Sequence, residues 1–314
     1  MTLLVVGSVA YDSVQTPLGA REDALGGSAT YFSIASSYFA PVSLVAIVGQ
    51  DFEPAHIEFL EAHDVDVSGL ERVEGDTFRW SGVYSTEDVN QRETLDTQLN
   101  VFADFKPNLS DEHRNADFLF LANIDPELQI EVLGQMNQRP KLVALDSMNF
   151  WIEGKKAELD KIVKAVDMVF MDEGEARSFA NETNLRKAAA RIHEVGPRIV
   201  VIKRGEHGVL VSNEGNLFSA PAFPLDRVVD PTGAGDTFAG GFMGLISATG
   251  DMSEDGIRRA AVLGSVIGSF TVEAFSADRL ATLTQDEVVQ RFAAFERLTQ
   301  FNGLNNSNSL PWRA

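Results

Sequence analysis

Four short apolar runs decide the fold: Phe118-Leu119-Phe120-Leu121-Ala122, Leu142-Val143-Ala144-Leu145, Met168-Val169-Phe170-Met171 and Ile199-Val200-Val201-Ile202-Lys203. Each has the length of a strand and almost no polar residue, so neither face of it is built to meet water. Stretches with helical spacing separate them, at 127–138, 152–166 and 185–195. Strands buried on both faces and alternating with helices predict an α/β domain around a parallel sheet. Working outward, Leu3-Leu4-Val5-Val6-Gly7 predicts another buried strand ending in a glycine turn. Residues 42–48 predict a further strand, followed by a helix over 53–63. The last third turns helical, over 236–247, 254–270 and 285–301.

One region departs from that rhythm. Runs 78–85 and 93–102 flank the polar turn Glu87-Asp88-Val89-Asn90-Gln91 and predict an antiparallel hairpin, suited to be a lid over a cleft. The polar residues after Phe301 read as a frayed tail carrying Trp312, and no Pro/Ser-rich linker divides the chain. One domain over 1–301 with a tail over 302–314 is the expected organisation.

The chain has 314 residues, 44% of them apolar, which suits a soluble globular core. Lys and Arg number 26 against 46 Asp and Glu, a net charge of −20. That balance excludes an electrostatic footprint for nucleic acid or for an anionic membrane. Cysteine is absent, which excludes disulfides, thiolate metal sites and a cysteine nucleophile. The first ten residues lack a basic n-region, and no run approaches ~20 apolar residues, so a cytoplasmic protein is expected. The five histidines show no metal-binding spacing.

The stretch Asp230-Pro231-Thr232-Gly233-Ala234-Gly235-Asp236-Thr237-Phe238-Ala239-Gly240-Gly241-Phe242 carries the chemistry. Small residues at 233–235 let the backbone bend and leave its N–H groups uncovered, and an apolar helix follows at once. Unpaired N–H groups at a helix start form an anion site. A carboxylate inside that site makes sense if Asp236 removes a proton while the amides receive a phosphoryl group. By spacing alone Asp236 reads equally as a helix cap. The turn is neither a Walker loop nor a GxGxxG fingerprint.

Residues 230–242 resemble the C-terminal signature of the ribokinase-like family of sugar and nucleoside kinases, the PfkB (phosphofructokinase-B) family. The family's Gly-Gly pair opening a helix is matched by Gly26-Gly27-Ser28-Ala29-Thr30-Tyr31-Phe32. The resemblance covers nearly the whole chain. It implies a three-layer sandwich with a mostly parallel central sheet and a small β lid, its segments near 11–24 and 77–103. It further implies that Asp236 is the general base and that the amides of Gly233, Ala234 and Gly235 form the hole for the transferring phosphoryl group. Asp12 would accept hydrogen bonds from substrate hydroxyls, with Gly26 and Gly27 admitting the substrate closely. Asp172 and Glu175 stand where relatives carry an Asn-x-x-Glu motif that organises Mg²⁺ through water. Lys203, Gly205 and Gly208 resemble the nucleotide loop, and Asp230 and Thr232 occupy positions that bind a monovalent cation such as K⁺ in some relatives.

The activity so implied is ATP-dependent, Mg²⁺-assisted phosphorylation of a hydroxyl on a sugar or related polyol. A nucleoside kinase is the alternative, with Tyr31, Phe32 and Trp80 offering faces to a base. A sugar-phosphate kinase would instead use Arg21, Arg79 and Arg92. Outside the class stands a non-catalytic ligand sensor, which has no need of Asp236; a dinucleotide oxidoreductase lacks its fingerprint at Gly7-Ser8-Val9-Ala10. Ala10 and Tyr31 replace asparagines common in the family, which reshapes the sugar pocket. Trp80 and Tyr84 are candidates for the inner face of the lid. Exposed lid edges also suggest a homodimer.

Overall fold

The computed structural model describes residues 1–85 and 90–300; the turn predicted at Glu87-Asp88-Val89 and the tail with Trp312 lie outside them. The chain opens with β1 (Leu3–Val6), β2 (Ala10–Thr16), β3 (Gly19–Gly26), α1 (Ser28–Ser37), β4 (Val42–Gly49), α2 (Pro54–Ala62) and β5 (Val65–Val73). There follow β6 (Arg79–Tyr84), β7 (Arg92–Gln98), β8 (Phe118–Leu121), α3 (Pro126–Gln135), β9 (Leu142–Asp146), α4 (Asn149–Gly154) and α5 (Lys156–Ala165). Next come β10 (Met168–Asp172), α6 (Glu173–Ala180), α7 (Leu185–Val195), β11 (Ile199–Lys203), β12 (Val209–Asn213) and β13 (Asn216–Ala220). Helices α8 (Ala234–Thr249), α9 (Glu254–Thr271) and α10 (Gln285–Thr299) close the described chain.

Nine strands form one sheet in the order β13-β12-β11-β10-β9-β8-β1-β4-β5. Only β12 runs against its neighbours. The pleat explains why these strands are apolar throughout. Leu3, Val5, Met168, Phe170, Ile199 and Val201 pack on one face with Phe32 of α1, Phe242 of α8 and Ile267 of α9. Leu4, Val6, Val169, Met171, Val200 and Ile202 pack on the other with Val132 of α3, Ile162 of α5 and Ile192 of α7. Two cores sandwich one sheet between helical layers, as expected.

The segments near 11–24 and 77–103 build a second sheet, ordered β3-β2-β6-β7. β2 and β3 pair antiparallel, as do β6 and β7, and a parallel β2–β6 pairing joins the two hairpins. The second strand of the predicted hairpin stops at Gln98, because Asn100–Asp104 coils into a 3₁₀ turn.

Two further departures have local causes. The helix predicted over 152–166 is two, α4 and α5, broken at Lys155 (φ −136°, ψ 41°) after the helix-weakening Gly154. The Lys155 ammonium is held there by Asp125 at 2.7 Å and Glu127 at 2.6 Å. The hairpin of β12 and β13 turns at Glu214-Gly215, both at positive φ (50° and 88°). Glutamate is an unusual occupant of such a turn, where Asn or Asp is the readable signal. No helix among the described residues is long and apolar enough to cross a membrane.

Candidate active site

Strand β1 leads into the first half of the site. Ser8 accepts the Ser28 N–H on its hydroxyl and the Ala29 N–H on its carbonyl, both at 3.0 Å, which ties the strand end to the start of α1. Gly27 caps that helix at φ 95°, a conformation costly for any residue with a Cβ. Asp12, from β2, is 6% exposed and accepts the Gly27 N–H. Burial pushes its carboxyl up to about 7; the Gly27 N–H opposes this, Asp230 adds to it and Arg92 opposes it. A buried acid with an open lone pair beside a glycine pair is suited to receive substrate hydroxyls.

The second half is the start of α8. Gly233 is left-handed (φ 74°), and a Cβ there would sit 2.5 Å from the Tyr31 ring. The amides sort themselves. Ala234 N–H, one of the amides expected to serve an anion, donates to Pro231 carbonyl at 3.2 Å. Among the described hydrogen bonds, the N–H groups of Gly233, Gly235 and Asp236 have no acceptor. With the positive end of the helix dipole behind them, these three are free to receive an anion. Asp236 stands in the same first turn, and its carboxyl is pushed up to about 7 by burial and by Asp146, against the pull of Lys203 and Arg92.

Lys203, at the end of β11, lies over this turn: its Nζ is 3.1 Å from where a Cβ on Gly235 would be. It is paired at 2.5 Å with Asp146, at the end of β9. Burial alone would lower the lysine's pKa, but Asp146, Glu175 and Asp236 outweigh it and raise it. Sequence reading missed Asp146. Its one signal is a charged residue terminating an all-apolar strand at the carboxyl edge of a parallel sheet, where such folds bind ligands.

Asp172 and Glu175 form a capping box on α6: Glu175 N–H donates to Asp172 at 2.7 Å, and Asp172 N–H donates to Glu175 at 2.6 Å. Burial, then Asp172, push the Glu175 carboxyl up to about 8. Asp172 is exposed and keeps carboxylate lone pairs for water, so an outer-sphere Mg²⁺ fits this corner. Asp230 is 1% exposed and accepts the N–H groups of Thr232 (2.9 Å) and Ser276 (3.3 Å). Burial raises its pKa, and its partners among the described residues are neutral donors.

Residues of the small sheet reach the same site. Thr232 hydroxyl donates to Tyr84 hydroxyl of β6 at 3.1 Å, and Tyr84 also hydrogen-bonds Arg92 of β7. Asn90, at the hairpin end, lies 1.9 Å from where a Cβ on Gly205 would be, against the expected nucleotide loop. Gly208 is fixed by packing, since a Cβ there would meet Ala220 carbonyl at 2.1 Å. Of the three lid arginines, Arg21 pairs with Asp278 and Arg79 with Asp23 and Asp51. Only Arg92 among them lies within the field of Asp12, Asp236 and Glu175. The expected aromatic faces also divide. Phe32 is fully buried and stacked on Phe120 (centroids 4.0 Å apart), so it belongs to the core. Tyr31 floors the site, and Trp80 is half-buried with Arg92 over its ring.

A mostly parallel sheet with a second, smaller sheet beside it, and a glycine-rich helix start with free amides near buried carboxylates, fit a phosphotransferase that acts on a hydroxyl. The chain belongs to the pfkB family carbohydrate kinases, whose family model matches residues 2–282. It is 31% identical over 252 residues to the cytidine kinase of Thermococcus kodakarensis, covering 77% of this chain and 87% of that one. Its fold is similar to that of Burkholderia thailandensis nucleoside kinase in complex with inosine (TM-score 0.77, 19% identity, 95% of this chain and 98% of that one). A putative ribokinase II from E. coli in complex with ATP and Mg²⁺ is also similar (TM-score 0.75, 17% identity, 93% and 99%).

Proposed function

We propose that this enzyme is an ATP-dependent nucleoside kinase that phosphorylates a ribose hydroxyl. The observation that carries the reading is the 31% identity to a cytidine kinase across 77% of the chain. The sugar or polyol kinase expected first from sequence becomes the second choice, and a sugar-phosphate kinase loses two of its three candidate cations to other salt bridges.

In the proposed reaction Asp12 accepts the sugar hydroxyls that do not react. Asp236 takes the proton of the one that does, and the N–H groups of Gly233, Gly235 and Asp236 hold the phosphoryl oxygens as charge redistributes. Lys203 supplies the positive charge next to them. Asp172 and Glu175 would hold Mg²⁺ through water, and when bound it would neutralise phosphate charge. A monovalent cation beside Asp230 and Thr232 would balance a carboxylate whose described partners are uncharged. The small sheet acts as a lid that keeps water from the phosphoryl group. The same reading includes a cytoplasmic location and pairing of copies through the β7 edge.

A panel of ribonucleosides, sugars and sugar phosphates with ATP, read by ADP release, tests it. Turnover of cytidine or another nucleoside well above every free sugar is the expected result. Preference for a free sugar would return the assignment to the sugar kinases.

A further inference from the structure

The proposed mechanism uses Lys203 but leaves Asp146 without a role. This carboxylate is 2% exposed at the end of β9, and its two oxygens have different tasks. Oδ1 accepts the Ser147 N–H at 2.9 Å, which fixes the plane of the group. Oδ2 accepts from Lys203 Nζ at 2.5 Å. The backbone is fixed as well, because the buried Gln129 amide donates to the carbonyls of both Ala122 (2.9 Å) and Asp146 (3.2 Å). The carboxylate therefore does not follow the lysine; the lysine follows it.

An ammonium has three donors. Among the described residues Lys203 uses one, on Asp146. Its side chain is only 17% exposed, and the ammonium lies over Gly235, whose N–H is one of the three free amides. Two remaining N–H bonds of a nearly buried cation thus stand beside three unpaired backbone donors. That is a donor cluster shaped for one oxyanion. Stability does not explain the pair, since a buried ion pair replaced by apolar groups of similar volume is often as stable or more so.

We propose that Asp146 is a positioning residue of the phosphoryl-transfer site, holding the Lys203 ammonium at Gly235 so that its two open donors meet the transferring phosphoryl group. The proposal rests on the kinase reading above and deepens it. Asp146 itself does not touch substrate; it acts through Lys203. A lysine arm left to itself would lose rotamer freedom on each turnover, whereas a pinned one is organised before the nucleotide arrives.

The test is a double-mutant cycle of Asp146→Asn and Lys203→Met, with binding of ADP and of the non-hydrolysable AMP-PNP measured by calorimetry. Lys203→Met should lower kcat by ~100-fold, the scale for losing one oxyanion donor. Asp146→Asn should lower kcat by about 10-fold or more while the acceptor KM changes by less than about threefold, since Asp12 is untouched. The double mutant should be no slower than Lys203→Met, as expected for residues that act as one unit. Both single variants should weaken AMP-PNP more than ADP. Full kcat in Asp146→Asn, losses that multiply in the double mutant, or equal weakening of the two nucleotides would each overturn the proposal. If Asp146→Asn does not fold, Asp146→Glu keeps the charge and shifts it by one methylene; an unchanged kcat there overturns the proposal equally. Should the wild-type protein phosphorylate no acceptor, the kinase reading fails, while the AMP-PNP against ADP comparison still reports on the lysine.

Discussion

The Asp12 carboxylate occupies the space that a side chain on Gly26 would need: Oδ2 lies 2.0 Å from the position of a Cβ there. The glycine is therefore a condition of the acid's placement. Gly26→Ala should expel Asp12 from its bond with Gly27 and cost two charge-assisted hydrogen bonds to the acceptor, each ~1.5–3 kcal/mol. The acceptor KM should rise by roughly 100-fold or more, with nucleotide binding unaffected. Steady-state kinetics with each substrate varied separately checks this; an unchanged acceptor KM would remove Asp12 from the substrate pocket.

Asp236→Asn keeps the shape of the α8 turn and its free amides but removes the proposed base. Turnover should fall by ~10²–10⁴-fold. AMP-PNP binding should persist, measured by calorimetry on the purified variant.

The pH dependence of turnover and of stability should run in opposite directions. As the proposed base Asp236 has to be ionised, and its carboxyl is pushed up to about 7, so kcat should rise with pH through about 7 and be lost below it. For stability the raised values of Asp12 and Asp236, about 7 each, mean that the folded state holds protons the unfolded chain has already released. Between the unfolded carboxylate value near 4 and about 7, stability therefore falls as pH rises. Thermal denaturation from pH 4 to 8 should show a declining Tm, and the slope should be shallower in Asp236→Asn.

Tyr84→Phe removes the one described hydrogen bond between the small sheet and Thr232, together with the Tyr84–Arg92 bond within that sheet. Both hydroxyls are buried, so the loss is about 0.5–1.5 kcal/mol, or roughly threefold to tenfold in kcat/KM. The global Tm should move little, because the change loosens a cover and leaves both cores intact.

Phe32→Ala separates packing from recognition. The ring is fully buried and nearly parallel to Phe120 (12°), so its removal should cost ~3–5 kcal/mol of stability. Denaturant unfolding should report that loss, while the preference among acceptors stays as in the wild type.

Strand positions were readable because burial on both faces leaves no room for polar residues, and each apolar run from 118 to 203 became a strand of the large sheet. The helix-start turn was readable because its glycines are unlike any ordinary helix entry. Asp146 was not readable, because its meaning depends on Lys203, 57 residues away, and only the sheet order brings them together. Neighbours Tyr31 and Phe32 look alike in sequence, yet α1 is buried nearly all round, so one ring floors the site and the next enters the core. The same limit applied to the arginines: Asp23, Asp51 and Asp278 claim two of them, through contacts the chain order does not foretell.

The contacts of the small sheet have a thermodynamic consequence. One hairpin touches Thr232 beside the α8 turn through Tyr84 and the Gly205 turn through Asn90, while its neighbour strand carries Asp12. In the proposed reaction, whatever draws this sheet down over the nucleoside also draws it onto the nucleotide. The two ligands are then linked by a heterotropic coupling free energy, and linkage makes that coupling reciprocal: the factor by which nucleoside tightens AMP-PNP must equal the factor by which AMP-PNP tightens nucleoside.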